Sequence, residues 1–194
     1  MIPGPDIYLA SASPRRAELL EQIGVTFSVL QVEVDEQHLT GESPADYVTR
    51  LALAKARAGK SLLDAGDSCP VLGADTTVVA ADRMMGKPRG RDDAVAMLLS
   101  LSGCVHQVVS AVALAGGHAA VHVCTSNVKF RTLTAAECQA YWNTGEPRDK
   151  AGAYAIQGRA AQFVEWLEGS YSGVMGLPLY ETTLLFREFK INLL

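Results

Sequence analysis

The sequence predicts a mixed α/β domain in which helices flank a sheet. Helical and strand-like hydrophobic patterns alternate along all 194 residues, without an internal repeat or a low-complexity segment. Hydrophobic residues make up 48% of the chain and charged residues 20%, a balance typical of a folded globular protein. The length suffices for a sizeable core, built as one or two lobes. Because no stretch has the composition of a linker, we predict one domain over residues 1–194.

The first half is predicted to contain two helices that begin in the same way. Ser13-Pro14 and Ser43-Pro44 each place a capping serine before a proline at the first helical position. Extended segments are expected before these helices, at 7–11 and 27–34. A continuous apolar β run follows at 71–80.

The second half alternates in the same manner. Gly116-Gly117 lies between two apolar runs and predicts a β-hairpin, and Thr134 with Glu137 has the spacing of a capping box. The other predicted elements are a polar loop at 82–91, a helix capped by Asp92 and ending at Leu101, a glycine-rich loop at 145–158, strands at 163–166 and 171–175, and a helix at 178–189.

Charge and composition exclude several classes of protein. The net charge of −4 is too small to indicate a nucleic-acid or membrane binder, and the most apolar stretch is interrupted at 116–118, so it predicts no membrane span. The start shows no secretory signal pattern. The four cysteines lack zinc-ligand spacing, which favours reduced thiols in a cytoplasmic protein.

An anion site is one reading of the segment Ser11-Ala-Ser-Pro-Arg-Arg16. A strand leads here into a helix N-terminus, whose free N–H groups and dipole favour a phosphate. Arg15 and Arg16 can add bidentate phosphate contacts. The alternative is a plain capped helix with solvated arginines.

Two carboxylates are candidate metal ligands. Asp75 interrupts an apolar strand, where a carboxylate is costly to bury unless it is paired or bound to a metal. Glu36 follows the second extended segment and would complete a site of the kind that magnesium prefers beside phosphates. The alternatives are an Asp at a strand end and a solvated acidic loop.

Further candidates are two lysines and one glutamine. Lys55 falls on the apolar stripe Val48–Leu62, so it either extends to solvent or points into a cleft. Lys87 lies between Gly and Pro in a shaped loop, and Gln157 offers a donor and an acceptor suited to a base edge. His106 is expected to make a structural hydrogen bond within a strand rather than to act as a general base.

Taken in order, these motifs resemble the Maf family. The resemblance is carried by Leu9-Ala-Ser-Ala-Ser-Pro-Arg-Arg16, Glu36, Lys55, Gly73-Ala-Asp-Thr76, Gly86-Lys-Pro88, Ser102-Gly103 with His106, and Asp149-Lys-Ala-Gly-Ala-Tyr154 with Ile156-Gln-Gly158. It covers about 7–189. The late motif is similar to that of the family branch that acts on dTTP and UTP, and differs from that of the branch acting on 7-methyl-GTP.

The resemblance implies a metal-dependent hydrolase that converts a nucleoside triphosphate to its monophosphate and pyrophosphate. The implied fold has a twisted mixed sheet and two lobes with a central cleft, similar to inosine triphosphate pyrophosphatases. The implied cofactor is magnesium, manganese or cobalt, and the implied assembly is a cytoplasmic homodimer.

The resemblance also assigns roles to single residues. Asp75 is implied to accept the proton of the attacking water and, with Glu36, to hold the metal. The triphosphate is implied to contact Ser11, Arg15, Lys55 and Lys87, and base choice is implied to depend on Arg15, Thr76 and Gln157.

Two alternative functions stay open at this point. The same hydrolysis could act on 7-methyl-GTP, although the loop around Gln157 argues against it. The protein could instead be a nucleotide-binding regulator of cell division and septum formation. Intact Glu36, Asp75 and Lys87 favour turnover, because a pure binder has no need of a metal and a base.

Overall fold

The computed structural model describes residues 4–193. The ends of the predicted 1–194 domain, Met1–Pro3 and Leu194, lie outside this range. The strands are β1 (Ile7–Leu9), β2 (Phe27–Val29), β3 (Val71–Ala80), β4 (Arg83–Met85), β5 (Val105–Ala115), β6 (Ala119–Phe130) and β7 (Val164–Glu168). The α-helices are α1 (Pro14–Gln22), α2 (Pro44–Ser61), α3 (Arg91–Leu101), α4 (Ala135–Asn143), α5 (Tyr171–Met175) and α6 (Leu179–Glu188), and short 3₁₀ turns cover Ala151–Ala153 and Arg159–Phe163.

The strands form one mixed sheet in the order β2-β1-β3-β5-β6-β7, with β4 paired to β3. β1 runs parallel to both β2 and β3, whereas β4 is antiparallel to β3 and β7 is antiparallel to β6. Helices flank this sheet. The predicted mixed α/β class is therefore confirmed.

The chain divides into two compact units, which agrees with the expectation of two lobes. Unit 1 comprises the described residues up to Asp75, together with Ser110–Cys124 and the residues from Gly176 onward. Unit 2 comprises Thr76–Val109 and Thr125–Met175. The central cleft and the single functional domain stay predictions.

In unit 1, α2 packs directly against β3. Val48 and Leu51 on α2 are fully buried, as the predicted stripe requires. A Cβ atom on Gly73 would lie 2.5 Å from the Ala56 backbone nitrogen and 3.1 Å from its Cα, and it would also collide with the Ala52 carbonyl oxygen. Glycine is needed here because the helix backbone occupies the place of a side chain. Leu62 was wrongly placed on the stripe: it follows the last helical residue and is 62% exposed.

In unit 2, an aromatic cluster fills the core. Phe130, Phe163, Tyr141 and Tyr154 make edge-to-face contacts with centroids 4.9 to 6.0 Å apart, in the range that favours ring pairs. The predicted capping box on α4 is confirmed, because Thr134 accepts from the Glu137 N–H and Glu137 in turn accepts from the Thr134 N–H.

Several element predictions need correction. The strand expected at 171–175 is helix α5, because the Ser170 hydroxyl accepts from the Gly173 N–H and starts a helical turn. Asp92 does not cap α3: the cap residue is Gly90. The polar loop at 82–91 contains β4, and the second extended segment is regular only at Phe27–Val29.

The hairpin across Gly116-Gly117 is confirmed, with the Gly116 N–H donating to the His118 carbonyl over 2.8 Å. The helix beginning after Pro178 is confirmed as α6. Among residues 4–193, no helix combines the length and the apolar composition needed to cross a bilayer.

Candidate active site

The ends of two parallel strands bring the first motif next to Asp75. Leu9 of β1 pairs with Leu72 of β3, and the Ala10 N–H donates to the Leu72 carbonyl over 2.8 Å. Ser11 therefore leaves β1 at the same edge of the sheet that Asp75 reaches along β3. Ligand sites of α/β sheets form at this carboxyl edge of the parallel strands.

Lys55 connects the two candidate carboxylates. Its Nζ lies 2.7 Å from Glu36 Oε1 and 2.7 Å from Asp75 Oδ1. The lysine side chain is only 13% exposed. Of the two directions that the sequence left open, the structure shows the inward one, toward the carboxylates.

The contact at Gly73 explains how Lys55 reaches Asp75. Residues two apart on a strand share a face, so Gly73 and Asp75 both face α2. Because Gly73 lacks a side chain, α2 lies close enough for Lys55, the neighbour of Ala56, to bond the Asp75 carboxylate.

Burial dominates the electrostatics of Asp75. The residue is 8% exposed, and this burial raises the pKa of the carboxyl above its usual value although the charges of Lys55 and Arg16 oppose the change. The nearby charge of Glu36 raises that pKa further. A carboxyl whose charged form is destabilised in this way is suited to accept a proton.

Side chains of α2 hold the loop that carries Glu36. The Tyr47 hydroxyl donates to the Glu36 carbonyl over 3.0 Å, and Arg50 Nη2 donates to the Gln37 carbonyl over 2.9 Å. Arg50 also makes two hydrogen bonds to Glu42, of 2.6 and 2.8 Å, which lower the pKa of Glu42 to about 2. The loop is thus anchored at the Glu36 carbonyl and at that of the next residue.

The segment after β1 is organised around Ser11 and Arg16. Ser11 Oγ accepts from the Ser13 N–H over 3.2 Å and from Arg16 Nη1 over 3.1 Å. Ser13 is the cap residue of α1, as predicted, but its side chain makes no capping bond. Arg15 is half-buried in the first turn of α1.

Arg16 belongs to the predicted anion segment but has no separate role in the sequence-based assignment. Burial lowers the pKa of its guanidinium, while the charges of Asp75 and Glu36 raise it, so Arg16 senses both carboxylates. Its Nε donates to the Gly176 carbonyl over 2.8 Å. The arginine pair was the available signal, but nothing in it distinguishes Arg16 from Arg15.

The remaining predicted residues belong to unit 2. Thr76 is half-buried and follows Asp75 in β3. Lys87 is exposed in the irregular segment after β4, and Gln157 is exposed on a turn. The Gly152 N–H donates to the Gly86 carbonyl over 3.2 Å, which links the loop of Lys87 to the predicted functional loop.

His106 has a structural environment, as expected. It is 2% exposed in β5, and its Nε2 lies 2.9 Å from the Tyr154 hydroxyl oxygen. Burial lowers the pKa of His106 to about 4, so the ring is neutral near pH 7. It lies in the core of unit 2, away from solvent.

The donor chemistry at Asp75 and Glu36 suits a hard divalent cation. Both side chains offer carboxylate oxygen, and both already hold one positive charge, the Lys55 ammonium. Among residues 4–193, no group of three or more His, Cys, Asp or Glu side chains is arranged to hold a metal. The two carboxylates therefore fit an ion that takes its other ligands from substrate phosphates and water.

Two solved structures are similar to this chain at low sequence identity. The Ham1 protein of Staphylococcus aureus is 15% identical, with a TM-score of 0.48 over 95% of this chain and 97% of its own. A nucleoside-triphosphatase, named dITP/XTP pyrophosphatase, from Mycobacterium abscessus is 22% identical, with a TM-score of 0.39 over 64% of this chain and 72% of its own.

Sequence relatives match over nearly the full length. A dTTP/UTP pyrophosphatase of Alkalilimnicola ehrlichii is 54% identical over 97% of this chain and 95% of its own. Proteins of the same name are 53% identical in Saccharophagus degradans, over 96% of this chain and 90% of theirs, and 54% identical in Xanthomonas euvesicatoria, over 94% and 98%. The family model described as Maf-like protein matches residues 6–189. Because this match covers nearly the whole chain, the chain belongs to the Maf family.

Proposed function

We propose that this protein hydrolyses dTTP and UTP, or modified pyrimidine nucleotides of the same shape, to the monophosphate and pyrophosphate. The relatives that are about half identical over nearly the whole chain bear the name dTTP/UTP pyrophosphatase. The observation that carries the proposal is the buried Asp75 carboxylate, held 2.7 Å from Lys55 beside Glu36 at the carboxyl edge of the parallel strands.

In the proposed reaction, water attacks the triphosphate and the bond between the α-phosphate and the bridging oxygen breaks. Asp75 accepts the proton that the water loses, and pyrophosphate leaves with the bridging oxygen. The raised pKa of Asp75 supports this role, because it makes the carboxylate a better proton acceptor than a solvated one. Lys55 keeps the carboxylates ionised and oriented until substrate binds.

A divalent cation at Glu36 and Asp75 would offset phosphate charge and promote ionisation of the attacking water. We propose magnesium, manganese or cobalt, since hard and borderline divalent ions accept carboxylate oxygen. The loop anchored by Tyr47 and Arg50 would present Glu36 to it.

The other side chains provide positive charge and base contacts. Ser11, Arg15 and Lys55 in unit 1 are proposed to contact the triphosphate, and Lys87 in unit 2 is proposed to do the same. Gln157 and Thr76 are proposed to contact the base, together with Arg15. Arg16 is expected to position Ser11, to which it is hydrogen-bonded.

Turnover of a nucleotide panel tests the proposal. The purified protein is incubated with magnesium and, in separate reactions, dTTP, UTP, CTP, GTP and 7-methyl-GTP, and both products are measured. We expect pyrophosphate from dTTP and UTP, and a fall in kcat of about 100- to 10,000-fold in Asp75→Asn, because the proton acceptor is lost. Glu137→Gln is the matched control, a carboxylate paired with Arg131 in unit 2, and should retain its kcat.

The other outcomes distinguish the proposed enzyme from the alternative functions. Turnover of 7-methyl-GTP instead of dTTP would keep the reaction and overturn the assignment of Gln157. Nucleotide binding without pyrophosphate, with any of the three metals, would favour the regulator of cell division. An Asp75→Asn protein that binds dTTP but does not turn it over would support the enzyme.

The assembly and location are further parts of the proposal. We expect a cytoplasmic homodimer with a single functional domain, as the family resemblance implies. Sedimentation equilibrium of the purified protein tests the assembly: a mass near twice 20.7 kDa supports the dimer and a mass of 20.7 kDa contradicts it.

A further inference from the structure

The turn that carries Gln157 is held by a carboxylate that no sequence motif indicated. Glu146 follows α4, and its side chain lies under residues 155–159 of unit 2. One oxygen, Oε2, accepts from the Arg159 N–H over 3.1 Å. The other, Oε1, accepts from the Tyr141 hydroxyl over 2.5 Å.

Tyr141 extends this contact to the other side of Gln157. Its hydroxyl oxygen accepts from the Ala155 N–H over 3.0 Å while its proton goes to Glu146. Tyr141 is 3% exposed, and burial, followed by the hydrogen bond to Glu146, raises the pKa of its hydroxyl. The hydroxyl therefore keeps its proton and can accept one bond and donate the other.

A backbone bond and the Glu146 carboxylate both define the turn. The Gly158 N–H donates to the Ala155 carbonyl over 3.0 Å, which closes the turn around Gln157. A Cβ atom on Gly158 would lie 2.5 Å from the Glu146 carboxyl carbon, so a larger residue there would displace the carboxylate from its present position. Gln157 is exposed at this turn, whereas Ala155 and Ile156 before it are buried.

From this geometry we infer that Tyr141 and Glu146 are positioning residues that set base choice through Gln157. The inference rests on the proposed function, in which the Gln157 amide contacts the pyrimidine. Thymine and uracil present an N–H beside a carbonyl, whereas cytosine presents a ring nitrogen beside an amino group. The amide can present its oxygen or its amino group to a base, so reading one edge requires a defined position for the side chain, and the backbone of the turn sets where that side chain begins.

The inferred role predicts a specific kinetic change. In Tyr141→Phe the Ala155 N–H loses its acceptor and Glu146 loses a donor, while the ring still fills the core. We expect the KM for dTTP to rise by about 5- to 20-fold, the loss of one or two net hydrogen bonds, with kcat changed less than about twofold. The ratio of kcat/KM for dTTP to that for dCTP should fall by about tenfold, since the turn no longer favours one edge.

Glu146→Gln gives an independent second variant. Tyr141 and Arg159 donate to different oxygens of Glu146, and in the variant one of these oxygens becomes an NH2 group that cannot accept, so the same KM increase and loss of discrimination are expected. Glu137→Ala is the matched control. It removes the capping box of the same helix, α4, and so lowers stability, but its hydrogen bonds go to Thr134 and Arg131 rather than to the turn.

The kinetics of the wild type and the three variants are measured at a temperature at which circular dichroism shows all four proteins to be folded. These kinetics test whether Tyr141 and Glu146 position Gln157. Discrimination that falls in Tyr141→Phe and Glu146→Gln, but not in Glu137→Ala, supports the positioning role. Unchanged discrimination in both variants, or an equal change in the control, overturns it while leaving the pyrophosphatase intact. A wild type that does not hydrolyse dTTP at all refutes the proposed function itself, and this result is visible in the same assay.

Discussion

Two ion pairs of this protein have the same length, but the pKa values of their carboxyl groups are shifted in opposite directions. Lys55 and Asp75 are 2.7 Å apart, with side chains 13% and 11% exposed, and Arg131 and Glu137 are also 2.7 Å apart, with side chains 34% and 38% exposed. At the first pair burial raises the pKa of Asp75 despite the lysine. At the second, the hydrogen bond from Arg131 lowers the pKa of Glu137 to about 2.

The direction of the pKa shift separates an ion pair that stabilises the fold from one that is suited to proton transfer. Glu137 belongs to a capping box and stabilises the start of α4, where water still solvates it. Asp75 lies where its charge is costly, and Lys55 offsets only part of that cost. A buried carboxylate with a raised pKa is poor for stability and well suited to proton transfer, which supports the proposed role of Asp75.

Breaking the buried pair of Lys55 and Asp75 should have the largest effect on stability and on activity. In Lys55→Met, Asp75 and Glu36 lose the ammonium that both contact, and a buried charge is left unpaired. We expect the free energy of unfolding to fall by about 3 kcal/mol, and kcat/KM for dTTP to fall by at least about 100-fold, since the same cation is proposed to contact the triphosphate. Urea denaturation and steady-state kinetics measure the two effects.

Glu137→Gln is the corresponding change at the surface pair and should cost less stability than Lys55→Met and no activity. An equal loss of stability in the two variants would contradict the distinction between the pairs. So would a Lys55→Met protein with wild-type kcat/KM.

Adding one methyl group under the buried pair tests its geometry without removing a charge. In Gly73→Ala the new methyl meets the backbone of Ala52 and Ala56, so α2 must move away from β3. We expect a loss of about 1–3 kcal/mol in stability, with a fall in kcat because Lys55 shifts relative to Asp75.

Gly66→Ala is the matched control, because a Cβ atom there meets nothing within 4 Å. Thermal melts and dTTP turnover of both variants provide the measurement. A Gly73→Ala protein as stable and active as Gly66→Ala would show that the close approach of α2 does not matter.

The smallest expected effect is the loss of stabilisation by the surface pair of Arg131 and Glu137 at acid pH. The pKa of Glu137 is lowered from 4.5 to about 2 by folding, so the folded state binds fewer protons than the unfolded chain between these values. Its stabilisation is therefore complete above pH 4.5 and lost as the pH falls toward 2. The difference in unfolding free energy between wild type and Glu137→Gln should shrink over this window in urea titrations; a constant difference would mean that the ion pair contributes nothing.

Local rules predicted much of the fold. The Gly116-Gly117 hairpin, the Thr134 capping box and the apolar run through Asp75 depend on a few neighbouring residues, and all three are confirmed. The failures also have local causes. At 171–175 the side chain of Ser170 starts a helix in a sequence with strand-like composition.

The candidate site was predictable as a set of residue types but not as a geometry. The sequence left the direction of Lys55 open, because that direction depends on how closely α2 packs on β3, a contact between segments far apart in the chain. The contacts of Arg16 and Glu146 could not be predicted for the same reason. Their partners, Gly176 and Arg159, are set by the fold and carry no chemical signal in the sequence.

The hydrogen bond from Arg16 to Gly176 has a consequence for biosynthesis. It joins residues 160 positions apart, and both belong to unit 1, which also takes in the residues from Gly176 onward. While the ribosome is still adding unit 2, the emerged part of unit 1 lacks α6 and the acceptor for Arg16. The nascent chain therefore carries Asp75, Lys55 and Glu36 before it holds the acceptor for Arg16, and this part of their surroundings is completed only when the residues from Gly176 onward have been added.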